Sequence, residues 1–156
     1  MGGEVGLWKT MIKLTWILDA DMAKATLVAL SAKMKNMTPA MKTIGQVIRT
    51  SIQKNFEQGG RPQGWIRLSP ATQKKRKGSK ILVDTARLKN SIKIQASSDR
   101  VVVGTNVVYA AIHHFGGQAG RGRKVTIPAR PFMLIQGEDW KEINEVGADY
   151  LLRNKT

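Results

Sequence analysis

One long amphipathic helix is written between Thr38 and Phe56, where Met41, Ile44, Ile48, Ile52 and Phe56 recur on a single face. Thr38-Pro39 marks its start: Thr is expected as the N-cap, and Pro occupies the first helical position, where its missing N–H costs nothing. Such a stripe must be covered by other elements of the chain. Upstream, Asp19 is expected to cap a helix carrying Ala23, Leu27, Leu30 and Met34 on its buried face. The two helices are expected to lie antiparallel, joined near Asn36, with one bent helix as the alternative. Before them, Ile12, Leu14, Trp16 and Leu18 alternate with Lys13, Thr15 and Ile17, the period of a half-buried strand.

Downstream, the elements are short and well punctuated. Gly59-Gly60-Arg61-Pro62-Gln63-Gly64 is turn chemistry, and Trp65 directly after it is expected to pin the loop to the core. Ser69-Pro70 opens a short helix whose last turn, Lys74-Lys75-Arg76-Lys77, suits the negative helix end, with Gly78 as its stop. Thr85 is expected to cap a helical turn through Leu88 to Ser91. Ile92 and Ile94 lead into a strand, Ser97-Ser98-Asp99 turn the chain, and Val101-Val102-Val103 return it as a β-hairpin. Tyr109 to Phe115 reads as a helical turn closed by Gly116-Gly117. Gln118 to Lys124 reads as an exposed loop, mobile in the free subunit and ordered against a neighbour, with an ordinary mobile surface loop as the alternative. Val125-Thr126-Ile127 is a short strand ended by Pro128. Trp140, Ile143, Gly147, Tyr150 and Leu151 mark a final amphipathic helix, with Glu138 and Asp139 at its start and Arg153 at its end complementing the helix dipole. The expected class is α+β: a small antiparallel sheet packed by N-terminal helices and a C-terminal helix. With 156 residues the chain fits one domain, 1–156, with exposed basic loops near 73–80 and 118–124.

Charge narrows the functional classes. The 26 Lys and Arg against 11 Asp and Glu give +15, and the excess is concentrated. Residues 61–93 hold ten basic side chains with Asp84 as their one acid. A concentrated basic stretch points to an acidic partner: nucleic acid, an acidic protein surface or anionic lipid. Lys74, Lys75, Arg76, Lys77, Lys80, Arg121, Arg123 and Lys124 are the candidate partner or DNA contacts. The tract lacks the interleaved aromatics that stack bases, and no zinc-finger, RNA-recognition or helix-turn-helix signature accompanies it. The stretch Leu7 to Leu18 is too short and too charged to span a bilayer, so no membrane association is expected. No signal peptide is evident, and zero Cys excludes disulfides and thiolate metal sites, in keeping with folding in a reducing cytoplasm.

Catalytic signatures are missing. His113-His114 are the two histidines; as neighbours they point to different helix faces, without the three or four converging ligands a metal requires. One is expected to be packed or hydrogen-bonded and the other near the surface. Gly116-Gly117-Gln118-Ala119-Gly120 follows a helical turn and precedes a strand, the reverse of a phosphate cradle. No paired general acid and base can be nominated. Neither an enzyme nor a cofactor is expected.

Four segments in order carry a resemblance: F-E-Q-G-G-R-P-Q-G-W-I-R-L-S-P-A-T at Phe56 to Thr72, I-L-V-D-T-A-R-L-K-N-S-I at Ile81 to Ile92, V-G-T-N-V-V-Y-A-A-I-H-H-F-G-G at Val103 to Gly117, and I-P-A-R-P-F at Ile127 to Phe132. Together they resemble the phage virion morphogenesis family, the tail-completion proteins of Mu-like and related tailed phages. The resemblance implies a structural virion protein acting in tail completion and head–tail joining, as a homo-oligomeric ring at the neck. Its implied partners are other neck or tail proteins, with phage DNA as a further contact, and its implied places are the virion and, during assembly, the host cytoplasm. A sequence-nonspecific DNA-binding accessory protein is the alternative. Ala86 stands where the family often has Gly, implying an unstrained backbone there, and His114 where Gln is common. Tyr109, Phe115 and Phe132 in these motifs are read as packing residues.

Overall fold

The computed structural model describes residues 20–153 except Ser79; the strand expected at Ile12–Leu18 and the Asp19 cap lie outside the described residues. The elements in order are α1 (Ala20–Lys35), α2 (Thr38–Gln58), α3 (Pro70–Lys75), α4 (Arg87–Asn90), β1 (Lys93–Ala96), β2 (Val101–Gly104), α5 (Ala110–Phe115), β3 (Gly117–Ala119), β4 (Val125–Ile127) and α6 (Gly137–Leu152). The class is α+β, as expected. The antiparallel pairing is divided between two hairpins, β1 with β2 and β3 with β4.

Helix α2 is the spine. Ile44, Ile52 and Phe56 are buried as the stripe requires, joined by Val47 and the polar Ser51 and Asn55. Its N-cap position is held by Met37, one residue before the expected Thr38, and Asn36 Oδ1 accepts from the Thr38 N–H at 3.2 Å. At the other end Gly59 turns left-handed (φ 72°) and its N–H closes on Asn55 O, the geometry a glycine supplies most cheaply. One face of α2 packs on both strands of the β1–β2 hairpin, the other on α6. At Gly45 the helix meets Ile94 and Val101 so closely that a Cβ would have no room.

The main core gathers Ile52, Phe56, Trp65, Leu88, Ile92, Val107, Ala110 and Phe132. Phe56 stacks edge-on to Trp65 at 5.9 Å between centroids and tilts against Phe132 at 5.2 Å. Trp65 is buried as expected, and its Nε1–H donates to Pro131 O at 3.1 Å. The 59–65 loop and the 127–132 segment are thereby fastened to one aromatic cluster. Each aromatic pair adds about 0.5–1.5 kcal/mol beyond its buried area.

Several expectations are corrected here. Helix α1 does not run back along α2; it packs against α6. Tyr150 Oη donates to Asn36 O at 2.7 Å and Lys33 Nζ to Leu151 O at 3.2 Å. These contacts are polar, so the supposed inner stripe is not buried: Leu27 is 66% and Met34 61% exposed. On α6, Trp140 is 54% exposed, while Asp139, assigned only a dipole role, is buried and completes a capping box with Gln136.

Thr85 does not cap α4. The N-cap is Ala86, held left-handed at φ 57°, ψ 4°. The alanine here, where the resembled family often has glycine, is therefore strained, contrary to expectation, because an L side chain there brings Cβ against the following carbonyl. Ala86→Gly is expected to raise stability by about 0.5–1 kcal/mol, the relief of an incompatible backbone less the entropy glycine adds to the unfolded chain. Chemical denaturation would show this as a higher midpoint at unchanged slope; a lower midpoint would refute it.

Candidate functional site

The basic stretch begins on α3. Ser69 caps it, its Oγ accepting from the Thr72 N–H at 3.3 Å, and Lys74 and Lys75 fall in the last turn. The helix ends at Lys75, so Arg76 and Lys77 lie beyond it. Asp84 organises the turn after the helix: its Oδ1 accepts from the N–H groups of Lys77 and Gly78, each at 3.0 Å. Those two backbone hydrogen bonds hold the Asp84 carboxyl below the usual carboxylate range. Gly78 is required there, since a Cβ would run into Val83 O and sit 3.0 Å from Asp84 Cα.

The stretch is consequently not one uniform row of free cations. Lys74, Lys75, Lys77 and Lys80 are exposed. Arg76 is drawn inward: its Nη2 donates to Lys80 O at 2.5 Å and its Nε lies 3.9 Å from Asp84 Oδ1.

Arg121, Arg123 and Lys124 sit at the tip of the second hairpin. The expected loop from Gln118 to Lys124 is instead a strand and a tight tip. Gln118 pairs with Thr126 and Ala119 with Val125, and a 3-10 turn spans Arg121–Arg123. The backbone ladder supplies the order that the side chains do not, so a scarcity of apolar residues does not leave the segment a loop. Gly120, Gly122 and Arg123 take positive φ to make the reversal. All three cations are exposed. Among the described residues no hydrogen bond or ion pair joins this tip to the 74–80 stretch.

His113 and His114 are both half-buried, rather than one inside and one outside. His114 stands edge-on to Phe132 at 5.2 Å and to Phe115 at 4.6 Å, and its Nδ1 accepts from the Met133 N–H at 3.4 Å. His113 Nδ1 is buried with no hydrogen-bond partner. Burial pushes both imidazoles below their ordinary value, and the Arg130 charge adds to the effect at His113. Among the described residues no cluster of three or more His, Asp or Glu is placed to hold a metal ion. The two histidines predict a pH dependence. The unfolded chain takes up protons near pH 6.5 while the folded chain resists them, so stability should be fully present above that value and fall as pH drops through it. Thermal melts from pH 8 to 5 should show the decline, and His113→Gln with His114→Gln should flatten it.

Motif aromatics divide. Phe132 is fully buried, but Tyr109 is 40% and Phe115 77% exposed, which corrects the packing assignment for both. Val108 and Val125 are exposed on the segments before α5 and along β4. The small core thus leaves apolar surface around α5 and β4 uncovered.

Two arginines without an assigned role prove central. Arg61, from the turn after α2, reaches Asn55 Oδ1 at 2.8 Å, Ser51 O at 3.0 Å, Ser51 Oγ at 2.7 Å and Glu138 Oε1 at 2.8 Å. Asp139 Oδ2 accepts from Ser51 Oγ, and Asn55 Nδ2 donates to the carbonyls of Phe132 and Leu134, each at 2.9 Å. Arg130, in the I-P-A-R-P-F motif, is 4% exposed, and its Nε–H donates to Ile66 O at 3.1 Å. The prolines on either side of that arginine are the available signal in the sequence, marking a segment too rigid to be spacer.

Comparison with known proteins agrees with this architecture in extent. The sequence profile of the phage virion morphogenesis family matches residues 18–152. "Mu-like prophage FluMu G protein 2" of Haemophilus influenzae is 42% identical over 134 residues, which is 86% of this chain and 92% of that protein. No solved structure matches.

Proposed function

Since the chain belongs to the phage virion morphogenesis family, we propose that it is a non-catalytic structural protein of the virion, completing the tail and joining it to the head as a ring at the neck. The observation that carries this reading is the family match over nearly all of the described body. The uncovered apolar surface supports it: Phe115, Val108 and Leu27 are exposed side chains that a neighbouring subunit would bury. Residues 1–156 act as one unit, made in the host cytoplasm and incorporated into the particle. Among the described residues no helix is long and apolar enough to cross a membrane.

The test is genetic and structural. Disrupting the gene should leave DNA-filled heads and tails unjoined, and an electron-microscopic map of wild-type particles should place several copies at the neck. Normal joined particles without the gene product would refute the reading.

A DNA-binding accessory role is the second reading, favoured by the four exposed lysines around α3. Changing Lys74, Lys75, Lys77 and Lys80 to Ser, while keeping Arg76 for its structural bonds, separates the two. If these residues neutralise phosphates, duplex affinity is strong, and its logarithmic salt slope flattens by about 0.9 for each lysine that no longer does so. The expected result is weak duplex binding from the outset and failed particle assembly by the four-fold variant, because the lysines dock an acidic protein surface. Normal assembly by that variant would remove both roles.

A further inference from the structure

Arg130 is a buried cation without a counter-ion. Beyond the Nε–H bond to Ile66 O, no acceptor among the described residues meets its two terminal amino groups, which keep some access to solvent, and it takes part in no ion pair. Arginine cannot shed its proton to escape burial, and buried charges in folded proteins are ordinarily paired. The one acid lining the same recess is already committed, since Asp84 serves Lys77, Gly78 and Arg76.

Arg130 lines a cavity of about 380 Å³ together with Arg76, Arg87, Tyr109 and His113, over the apolar side chains of Leu82 and Leu88. Three guanidinium groups over an apolar floor describe a receptor for a carboxylate on a methylene stem. A phosphate of a polynucleotide would bring its sugars and neighbours with it, and such contacts are made by exposed cations tracking the strand. A single acidic side chain can enter the recess alone.

The same chain carries the complementary surface. Of the 11 acidic residues, five lie on α6. Glu138, Glu142, Glu145 and Asp149 are spaced four, three and four apart, so they form one ridge, and all are exposed. Glu138 is engaged by Arg61 and Asp149 by Arg153. Glu142 and Glu145 have no ion pair among the described residues. No residue of α6 lines the arginine cavity, so the two surfaces do not satisfy one another within one subunit.

We propose that the Arg130 cavity receives the Glu142–Glu145 ridge of a second copy of this chain, in a head-to-tail contact. Such a heterologous contact repeats around a ring when its rotation closes. The proposal deepens the neck-ring reading and rests on it.

The absence of Cys makes the test clean. Thr85→Cys, on the cavity rim, is combined in the full chain with Lys141→Cys or Asn144→Cys, exposed beside the acidic ridge, and assembled particles are treated with a short bis-maleimide. At least one double variant should give covalent ladders longer than a dimer, while each single variant should not. Adding Arg130→Gln should cut ladder yield at least tenfold; should that variant misfold by thermal melt, Arg87→Glu replaces it. Several copies at the neck with no ladder from either pair would overturn this contact and leave the ring standing. Particles holding single copies, or none, would overturn both. Ladders that fail to form when the particles are nuclease-treated before the bis-maleimide is added would assign the cavity to DNA phosphate and refute the carboxylate.

Discussion

Arg61→Ala should destabilise the protein by about 3–5 kcal/mol, the loss seen when one partner of a buried charged pair is removed. The side chain is one-tenth exposed and joins three elements at once: Ser51 and Asn55 on α2, its own turn, and Glu138 with Asp139 at the head of α6. Without the guanidinium, the Asp139 carboxylate remains enclosed with its hydrogen bonds to Ser51 Oγ and the Gln136 N–H but with its counter-charge gone. Asn55 Oδ1 loses its donor as well, and the Ser51 carbonyl is left with its intrahelical bond alone. For a chain of this length the melting temperature should fall by roughly 6–20 °C. Arg61→Lys should recover only part of the loss, because an ammonium cannot reproduce the planar fork that addresses Asn55, Ser51 and Glu138 together. In a double-mutant cycle, Arg61→Ala with Asp139→Ala should cost clearly less than the sum of the two single changes. Strict additivity would mean the two groups do not support each other.

The second large effect is expected at Phe132, where alanine should cost about 3–5 kcal/mol. Its ring is fully buried, packed against Phe56 and His114, and its own carbonyl accepts from Asn55. Removing the ring opens a cavity at the junction of α2, α5 and the proline-bounded segment, where hydrogen bonds from Trp65 and Asn55 resist collapse. Phe132→Leu, which keeps most of the volume, should be much milder. Equilibrium urea unfolding measures both; a loss under about 1 kcal/mol for the alanine variant would show that the site relaxes and that the aromatic cluster is not the keystone of the core. Since Arg130 stands two residues away on the same rigid segment, Phe132→Ala should also impair particle assembly.

The features legible in the sequence share one property: each depends on residues close together along the chain. The spine helix is readable because its apolar residues return every three or four positions. The Ser69 cap, the β1–β2 hairpin and the start of α6 are readable because their turn chemistry lies within a few residues. The same holds for the four ordered segments that resemble the phage virion morphogenesis family, whose membership the profile match bears out. Of the candidate cations around α3 and on the second hairpin, all but Arg76 are exposed.

Tertiary structure decided which apolar faces are covered and which polar groups are enclosed. Leu27 and Trp140 have the same local pattern as buried stripes, yet α1 and α6 meet through Lys33 and Tyr150 and leave both exposed. The second hairpin leaves no mark in the side-chain pattern, because its order comes from backbone pairing between β3 and β4. Ala86 is held left-handed by the surrounding fold although its own preference opposes it. Arg61 and Arg130 read in sequence as two more positive charges among many. Only the fold encloses them, giving one its counter-ions and leaving the other without one among the described residues, because burial is a property of distant segments brought together and local spacing does not encode it.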